Sequence, residues 1–231
     1  MFINIDYDKR KKGYKINLAK PNQQTIASIS EAYGANYSIK LGNINEVTFN
    51  VPYFIDKLDE RVKNENIELI KEKMYTKISY NNNDEWMVID SIEDVGSGDE
   101  KYMTVTAFTN VYETSNRKIS ELNLEVVNPE EYYNAILNDV AWSIGTIDPL
   151  FKDIYRSVEL SNVTVLEAII TGAETFGAIL DFDTENKKIN LMDMDSRAKY
   201  RGLNINYSNF LQSINRKRSV DEMTTRLYVY G

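Results

Sequence analysis

Hydrophobic and polar residues alternate along much of the first 125 residues, and this two-residue period is typical of β-strands with one buried face. The segment "YKINLAKPNQQTIASIS" predicts a strand, a turn at Pro21-Asn22 and a second strand. The segment "MYTKISYNNNDEWMVIDSIEDVGSGDEKYMTVTAFTNVYE" predicts three more strands, with turns at 81–84 and 96–99. Together these segments predict an antiparallel sheet that forms a barrel or a sandwich.

A further hairpin is predicted around Gly42-Asn43, in "NYSIKLGNINEVTFNVP". Pro52 is expected to end its second strand, because proline has no N–H to donate to a neighbouring strand. The side chains that alternate on one face are Tyr37, Ile39 and Leu41 before the turn, and Val47, Phe49 and Val51 after it.

The hydrophobic period changes at Asn128, where the sequence "NPEEYYNAILNDVAW" predicts a helix. Asn128 is placed as the N-cap, Pro129 as the first helical residue, and Glu131 lies three positions after the cap, as in a capping box. Residues three and four apart share one face of a helix, so the apolar residues form a stripe that packs on the rest of the domain. The stripe consists of Tyr133, Ile136, Leu137, Val140 and Ala141.

A second helix is predicted in "NVTVLEAIITGAETFGAILDF". Thr164 and Glu167 form its capping box, and Gly177 ends it in a left-handed conformation. The segment after it predicts a hairpin around Glu185-Asn186, and "YRSVEL" before the helix predicts a partner strand. The buried stripe of the helix is Leu166, Ile169, Ile170 and Ala173.

The β pattern returns from Leu203 and ends in "TTRLYVYG", a strand whose apolar face needs a neighbour. The predicted fold class is therefore mainly β with an α+β insertion. We assign 1–125 to the first part of a β-barrel-like domain, 126–202 to an inserted two-helix α+β domain, and 203–231 to the returning strands of the first domain. The parent protein is expected to continue beyond the last of these strands.

Composition excludes several classes of protein. The 231 residues are 42% hydrophobic, enough for a sizeable core, but no run of 18 apolar residues predicts a membrane span and no secretory signal is visible. Cysteine and histidine are absent, which removes disulfides, thiolate nucleophiles, imidazole bases and the usual zinc ligands. The net charge of −8 argues against tight binding to duplex DNA.

One stretch resembles the start of a calcium-binding loop, with Asp181, Asp183 and Glu185 in "DFDTENKKINLM". Asn186 stands where such a loop needs glycine, and Met192 stands where it needs a bidentate glutamate. The sequence therefore favours a polar hairpin turn over a calcium site.

A second possibility joins Asp193 and Asp195 to Asp181 and Asp183, as a cation site or as the carboxylate pair of a glycosidase. Nothing in the pattern forces these carboxylates into a cleft, so solvated strand residues are favoured. We predict no catalytic, cofactor-binding or metal-binding residue and no cofactor.

Two basic runs, "DKRKKG" at 8–13 and "NRKRS" at 215–219, could contact nucleic acid or an acidic neighbour, but solvated loops are the favoured interpretation. Sixteen tyrosines and two tryptophans could form a sugar-binding surface, since aromatic rings stack on sugars. Core and interface positions are favoured for them instead, because tyrosine is common in both.

Several segments in this order resemble the amino-terminal hub region of phage and prophage tail-associated proteins of Gram-positive hosts, the baseplate hub and tail endopeptidase or tail lysin proteins. They are "INLAKPNQQTIASISEAY", "NEVTFNVPY", "WSIGTID", "TVLEAIITGAETFGAILDFDTENKKINL" and "TTRLYVYG". The resemblance covers nearly the whole chain. The helix with its hairpin, from Thr164 to Leu191, is the most specific piece.

The resemblance implies a virion structural protein that forms a trimeric ring below the tail tube and connects it to distal host-recognition or wall-degrading parts. The implied partners are further copies of the chain, the distal tail ring and the tube proteins, with DNA only as passing cargo and no membrane. The implied location is the virion tail, assembled in the host cytoplasm. Any catalytic domain would lie beyond Gly231. The alternatives are a tail-associated peptidoglycan hydrolase whose catalytic part lies elsewhere, and a carbohydrate-binding receptor module.

Overall fold

The computed structural model of the chain describes residues 14–57, 60–80, 83–97 and 100–194. Their first part is dominated by a seven-stranded antiparallel sheet with the strand order β2-β1-β7-β8-β9-β4-β3. The strands are β1 (Lys15–Ala19), β2 (Thr25–Ser28), β3 (Tyr33–Ser38), β4 (Glu46–Pro52), β7 (Tyr75–Tyr80), β8 (Asn83–Ser97) and β9 (Glu100–Thr109). The three predicted pairings β1–β2, β3–β4 and β7–β8–β9 are confirmed.

The core of this sheet collects side chains from all of its strands. On β4, Val47, Phe49 and Val51 are buried as the alternation predicts, and Pro52 is the last residue of the strand. Side chains of both edge strands pack against the same cluster, so the sheet curls around one core.

The predicted barrel does not close among the described residues, because β2 and β3 form the two open edges of the sheet. Strand β2 has only four residues, and a bulge interrupts β3 at Gly34, whose φ is +62°. Short and bulged strands are poor templates for further pairing. The first part of the chain is therefore a curled open sheet.

Ile39 and Leu41 were expected on the buried face of β3, and this is wrong. The strand ends at Ser38, and the two side chains are 69% and 63% exposed. After Ser38 the backbone forms a hydrogen bond with a side chain and not with the neighbouring strand. Lys40 N donates to Asn45 Oδ1 at 2.9 Å. Such a bond competes with pairing between β-strands, and β3 therefore ends here.

A second hydrophobic core follows the sheet and contains both helices. Strands β10 (Lys118–Val127) and β12 (Arg156–Thr164) form an antiparallel ribbon, and the order β11-β14-β13 makes a three-stranded sheet. The remaining elements are α1 (Pro129–Leu137), β11 (Ser143–Ile147), α2 (Val165–Phe176), β13 (Ile179–Asp183) and β14 (Lys188–Met192). The predicted class, mainly β with an α+β part, is confirmed.

Both predicted capping boxes are present. Asn128 Oδ1 accepts from Glu131 N at 2.9 Å, and Thr164 Oγ1 accepts from Glu167 N at 3.1 Å. Gly177 ends α2 in the left-handed conformation with φ +72°. These local signals define where the helices begin and where α2 ends, because they satisfy backbone groups that the helix leaves unbonded.

The buried residues of helix α1 differ from its predicted stripe. Tyr132 is buried although the stripe omitted it, while Ala141 lies beyond the helix and is exposed. Tyr132 and Tyr133 each donate a hydroxyl hydrogen bond to a carbonyl of α2, to Ala168 O at 2.7 Å and Ile169 O at 2.8 Å. Two adjacent rings thus hold the helices together, and a helical stripe alone does not predict this.

The strand predicted at "YRSVEL" exists within β12, but it pairs with β10 and not with the hairpin. The hairpin β13–β14 turns at the predicted residues, and its other neighbour is β11, which runs parallel to β14. A short hairpin β5–β6 (Phe54–Lys57 and Glu60–Lys63) was not predicted. A 3-10 helix at Glu65–Glu68 and another at Asn110–Asn116 were not predicted either.

The division of the chain at residue 125 stays a prediction. Residue 125 lies inside β10, and Val111 already contributes to the second core. The returning strands at 203–231 lie outside the described residues. No helix in the described ranges is long and apolar enough to cross a membrane.

Candidate functional site

Three of the acidic residues singled out in the sequence, Asp181, Asp183 and Glu185, lie on the β13–β14 hairpin. Asp183 Oδ1 accepts from Asn186 N at 3.0 Å and its Oδ2 accepts from Asn186 Nδ2 at 2.8 Å. These two bonds from Asn186 lower the pKa of Asp183. Asn186, which replaces the glycine of a calcium loop, therefore closes the turn itself.

Asp181 lies on β13, where Asn190 Nδ2 of β14 donates to its Oδ2 at 3.4 Å. Met192 ends β14, Asp193 follows it, and Asp195 lies outside the described residues. In the described parts of the chain, no group of three or more carboxylates, histidines or cysteines is placed to hold a metal ion. The acids of this group that the structure describes are thus not gathered into a metal site.

The hairpin turn instead contacts the face of the large sheet that points away from its main core. Thr184 is buried there, and its Oγ1 accepts from the backbone N of Trp86 at 3.1 Å. Its carbonyl accepts from Asn110 Nδ2 at 2.9 Å and from Gln23 Nε2 at 3.0 Å. One residue of the turn therefore binds three separate elements of the first half of the chain.

A charged cluster lies beside this contact. Glu113 Oε1 accepts from Lys187 Nζ at 2.7 Å and from Trp142 Nε1 at 2.9 Å, and its Oε2 accepts from the hydroxyl of Tyr75. Burial, with the neighbouring Glu113 carboxylate, raises the pKa of Tyr75. The cluster joins β7, the 3-10 helix at Asn110–Asn116 and the turn just before β14. It therefore connects the sheet to the second core.

Both tryptophans of the chain lie at this junction. Trp86 is buried in a small cluster with Tyr75, and Lys77 Nζ lies 5.2 Å from the centre of its ring. The sequence carries one signal for it, since "WMVI" at 86–89 is a continuous apolar run that fits a strand buried on both faces. Glu113 and Lys187 carry no such signal, because residues 74 positions apart are brought together only by the fold.

The predicted placement of the aromatic residues agrees with the described structure in part. Tyr75, Tyr132 and Tyr133 are buried, whereas Tyr33 and Tyr155 are exposed. Both basic runs lie outside the described residues.

The sequence of this chain is similar to that of a prophage protein. Residues 18–107 match the model of the YOMG N-terminal domain. The SPbeta prophage-derived protein YomG of Bacillus subtilis (strain 168) is 27% identical over 216 residues, which are 94% of this chain and 24% of YomG. The chain thus spans about a quarter of the length of this curated relative.

Solved tail proteins share the fold. A tail protein from Neisseria meningitidis MC58 superposes with a TM-score of 0.55 at 9% identity, over 78% of this chain and 50% of that one. The prophage tail protein gp18 from Listeria monocytogenes EGD-e gives a TM-score of 0.56 at 12% identity, over 78% and 51%. The described fold is that of phage tail proteins, and the resemblance noted in the sequence is confirmed.

Proposed function

We propose that this chain is a structural component of a phage or prophage tail, positioned in the hub of the tail tip. The observation that carries the proposal is the fold shared with two tail proteins, one of them a prophage tail protein, over 78% of the chain. The likeness of almost the whole chain to a prophage-derived protein supports it independently.

In this proposal three copies form a ring below the tail tube, and the ring connects the tube to distal host-recognition or wall-degrading parts. Its partners are the neighbouring copies, the distal tail ring and the tube proteins. The protein is assembled in the host cytoplasm and ends in the virion tail.

The proposed role of this chain is not catalytic. Two observations support this: Asp183 accepts the bonds that close its turn, and the chain has no histidine or cysteine for nucleophilic or acid–base work. A wall-degrading activity of the parent protein would belong to a part outside these residues.

Purified particles test the proposal. Peptide mapping of tails from the encoding phage is expected to find this chain, and an early stop codon in its gene is expected to yield filled heads without complete tails. A chain that is absent from tails, or a gene whose loss leaves complete tails, would contradict the structural role.

A further inference from the structure

The four most exposed large apolar side chains in the described part of the chain lie in two places. Ile39 and Leu41 belong to the loop after β3, the aliphatic loop, whereas Val126 and Leu150 lie near one end of the β10–β12 ribbon. Isolated apolar side chains are common on protein surfaces, but groups of them mark surfaces that contact another protein. Each place is therefore a candidate contact surface.

The aliphatic loop is held in one conformation although its apolar side chains are exposed. Asn45 fixes the loop, because its Oδ1 accepts from Lys40 N at 2.9 Å and its backbone N donates to Thr109 Oγ1 at 2.8 Å. Gly42 packs against β13, where an added Cβ would lie 3.4 Å from Ile179 Cγ2. A loop that is already ordered loses little entropy on binding, so its apolar side chains are preorganised for a contact.

Val126 is exposed at a bulge whose backbone does not suit valine. The register of β10 against β12 shifts between Leu124 and Val127, so Glu125 and Val126 form a bulge. The φ of Val126 is +52°, in the left-handed region that β-branched residues rarely adopt, and its side chain is 67% exposed. Backbone strain and exposure both disfavour valine in the free chain. A contact that covers the side chain removes the second penalty, and strained residues cluster at functional positions of this kind.

Two further apolar side chains accompany Val126. Val126 N donates to Ser157 Oγ at 3.3 Å, which places Tyr155, two residues earlier, at the same end of the ribbon. Leu150 precedes Tyr155 by one tight turn, and both side chains are exposed. Val126, Leu150 and Tyr155 thus form a second apolar surface, the ribbon-end patch.

One pair of opposite charges adjoins the two surfaces. Lys40 is the middle residue of the aliphatic loop, and Glu125, which is exposed, directly precedes Val126. Lys40 Nζ lies 3.6 Å from Glu46 Oε2, but both side chains are partly exposed and such pairs contribute little stability. Lys40 can therefore turn to a carboxylate of another chain.

We propose that the aliphatic loop of one copy docks on the ribbon-end patch of a second copy, with Lys40 beside Glu125. This step rests on the proposed ring. A closed ring of three identical chains joins two different surfaces of the chain at every contact, and the described residues present two apolar surfaces. Burial of the exposed apolar side chains drives the contact, and the charged pair sets its orientation.

Crosslinking between two cysteine variants tests the contact directly, because the chain has no cysteine of its own. Leu41→Cys mixed with Val126→Cys is expected to form crosslinked dimers with a short bismaleimide at least tenfold faster than Leu41→Cys mixed with Ser161→Cys, an exposed position on β12. Each variant alone is expected to crosslink slowly. Equal rates for the two mixtures, or equally fast crosslinking of either variant alone, would overturn the proposal.

Charged substitutions supply a second readout. Leu41→Asp leaves the ribbon-end patch intact and Val126→Asp leaves the aliphatic loop intact, so each variant alone is expected to be monomeric in sedimentation at high concentration, where the unchanged chain forms trimers. An equimolar mixture retains one matching pair of surfaces and is expected to form dimers and nothing larger. A mixture that stays monomeric, an unchanged chain that stays monomeric, or a single variant that associates like the unchanged chain would contradict the contact.

Val126→Gly separates the contact from folding. Glycine adopts a positive φ without strain, so the variant is expected to unfold at a higher denaturant concentration and to associate at least tenfold more weakly. A variant that is less stable, or that associates like the unchanged chain, would show that Val126 does not have this role. The crosslinking result does not depend on whether the chain is found in tails, so this contact and the proposed tail function fail separately.

Discussion

At the scale of single residues, the second core depends on a close approach that the hydrophobic pattern does not reveal. Gly172 of α2 faces the ring of Tyr132, and a Cβ built there would lie inside contact distance of that ring and 3.1 Å from the Tyr133 hydroxyl. The two tyrosines can reach the carbonyls of α2 only because this position has no side chain.

We expect Gly172→Ala to destabilise the protein by about 1–3 kcal/mol, because the added methyl group overpacks the contact between α1 and α2. Denaturant unfolding followed by fluorescence measures the loss. Gly96→Ala is the matched control, since its Cβ would meet nothing closer than Lys101 Cγ at 3.9 Å. A Gly172→Ala protein as stable as the Gly96→Ala protein would contradict this description of the core.

Glu113 is a second single residue whose contribution to the unfolding free energy can be predicted from the structure. Glu113→Ala is expected to cost about 1–3 kcal/mol of unfolding free energy, because Trp142, Lys187 and Tyr75 lose their shared acceptor. Glu174→Ala, an exposed position on α2, is the control and is expected to change stability little. The emission of the tryptophans reports on the junction directly. Unchanged emission together with unchanged stability would show that Glu113 does not join the two cores.

At the scale of elements, local signals predicted the starts of both helices, the end of α2 and most hairpins correctly. Caps and turns are decided by residues a few positions apart, so Thr164 with Glu167 and the turn at Pro21-Asn22 can be read from the sequence. The pairing of β10 with β12 and the parallel pairing of β11 with β14 could not be read. Their partners lie far apart in the chain, and alternation predicts a strand without naming its neighbour.

Thr164→Ala tests the capping box at the start of α2. The variant is expected to lose about 1 kcal/mol of stability, because Glu167 N loses its side-chain acceptor and the Glu167 carboxylate loses the bond from the Thr164 hydroxyl. Ser161→Ala, on the exposed side of β12, is the control. The bonds from Thr164 lower the pKa of Glu167, so the contribution of the cap should fade as the pH drops through that pKa. A cost that is the same at neutral and strongly acid pH would contradict the ionic part of the cap.

At the scale of the whole molecule, buried tyrosines couple stability to alkaline pH. Burial raises the pKa of Tyr132 and Tyr133, and a hydrogen bond to Asp94 raises that of Tyr53 to about 12. A phenol whose pKa is higher in the folded than in the unfolded protein contributes stability that is complete below the unfolded value. That contribution is lost as the pH rises through the folded value.

The unfolding free energy is therefore expected to fall as the pH rises above about 10, the ordinary pKa of tyrosine. Tyr133→Phe is expected to weaken this dependence, whereas Tyr155→Phe, at an exposed position, is expected to leave it unchanged. Denaturant unfolding and tyrosinate absorbance across this pH range measure both effects. Full ionisation of the tyrosines near pH 10 in a protein that is still folded would contradict the burial.

The absence of cysteine and histidine can be read from the sequence, whereas the junction around Thr184 and Glu113 cannot. Its side chains come from the turn after β1, the 3-10 helix at Asn110–Asn116 and the β13–β14 hairpin, so only the folded chain brings them together. In the sequence, a polar residue in such a contact cannot be distinguished from a solvated residue of a turn. The sequence pointed only to the acidic residues near this hairpin, and one of them, Asp183, accepts a hydrogen bond from Asn186 N that closes the turn.

An electron cryomicroscopy map of intact tails from the encoding phage decides whether the chain forms a threefold ring at the tail tip. We expect three copies of the described fold around the tail axis, directly below the tube. A map in which the hub region lacks this fold, or contains it in a number of copies that is not three, would show that the proposed ring is wrong.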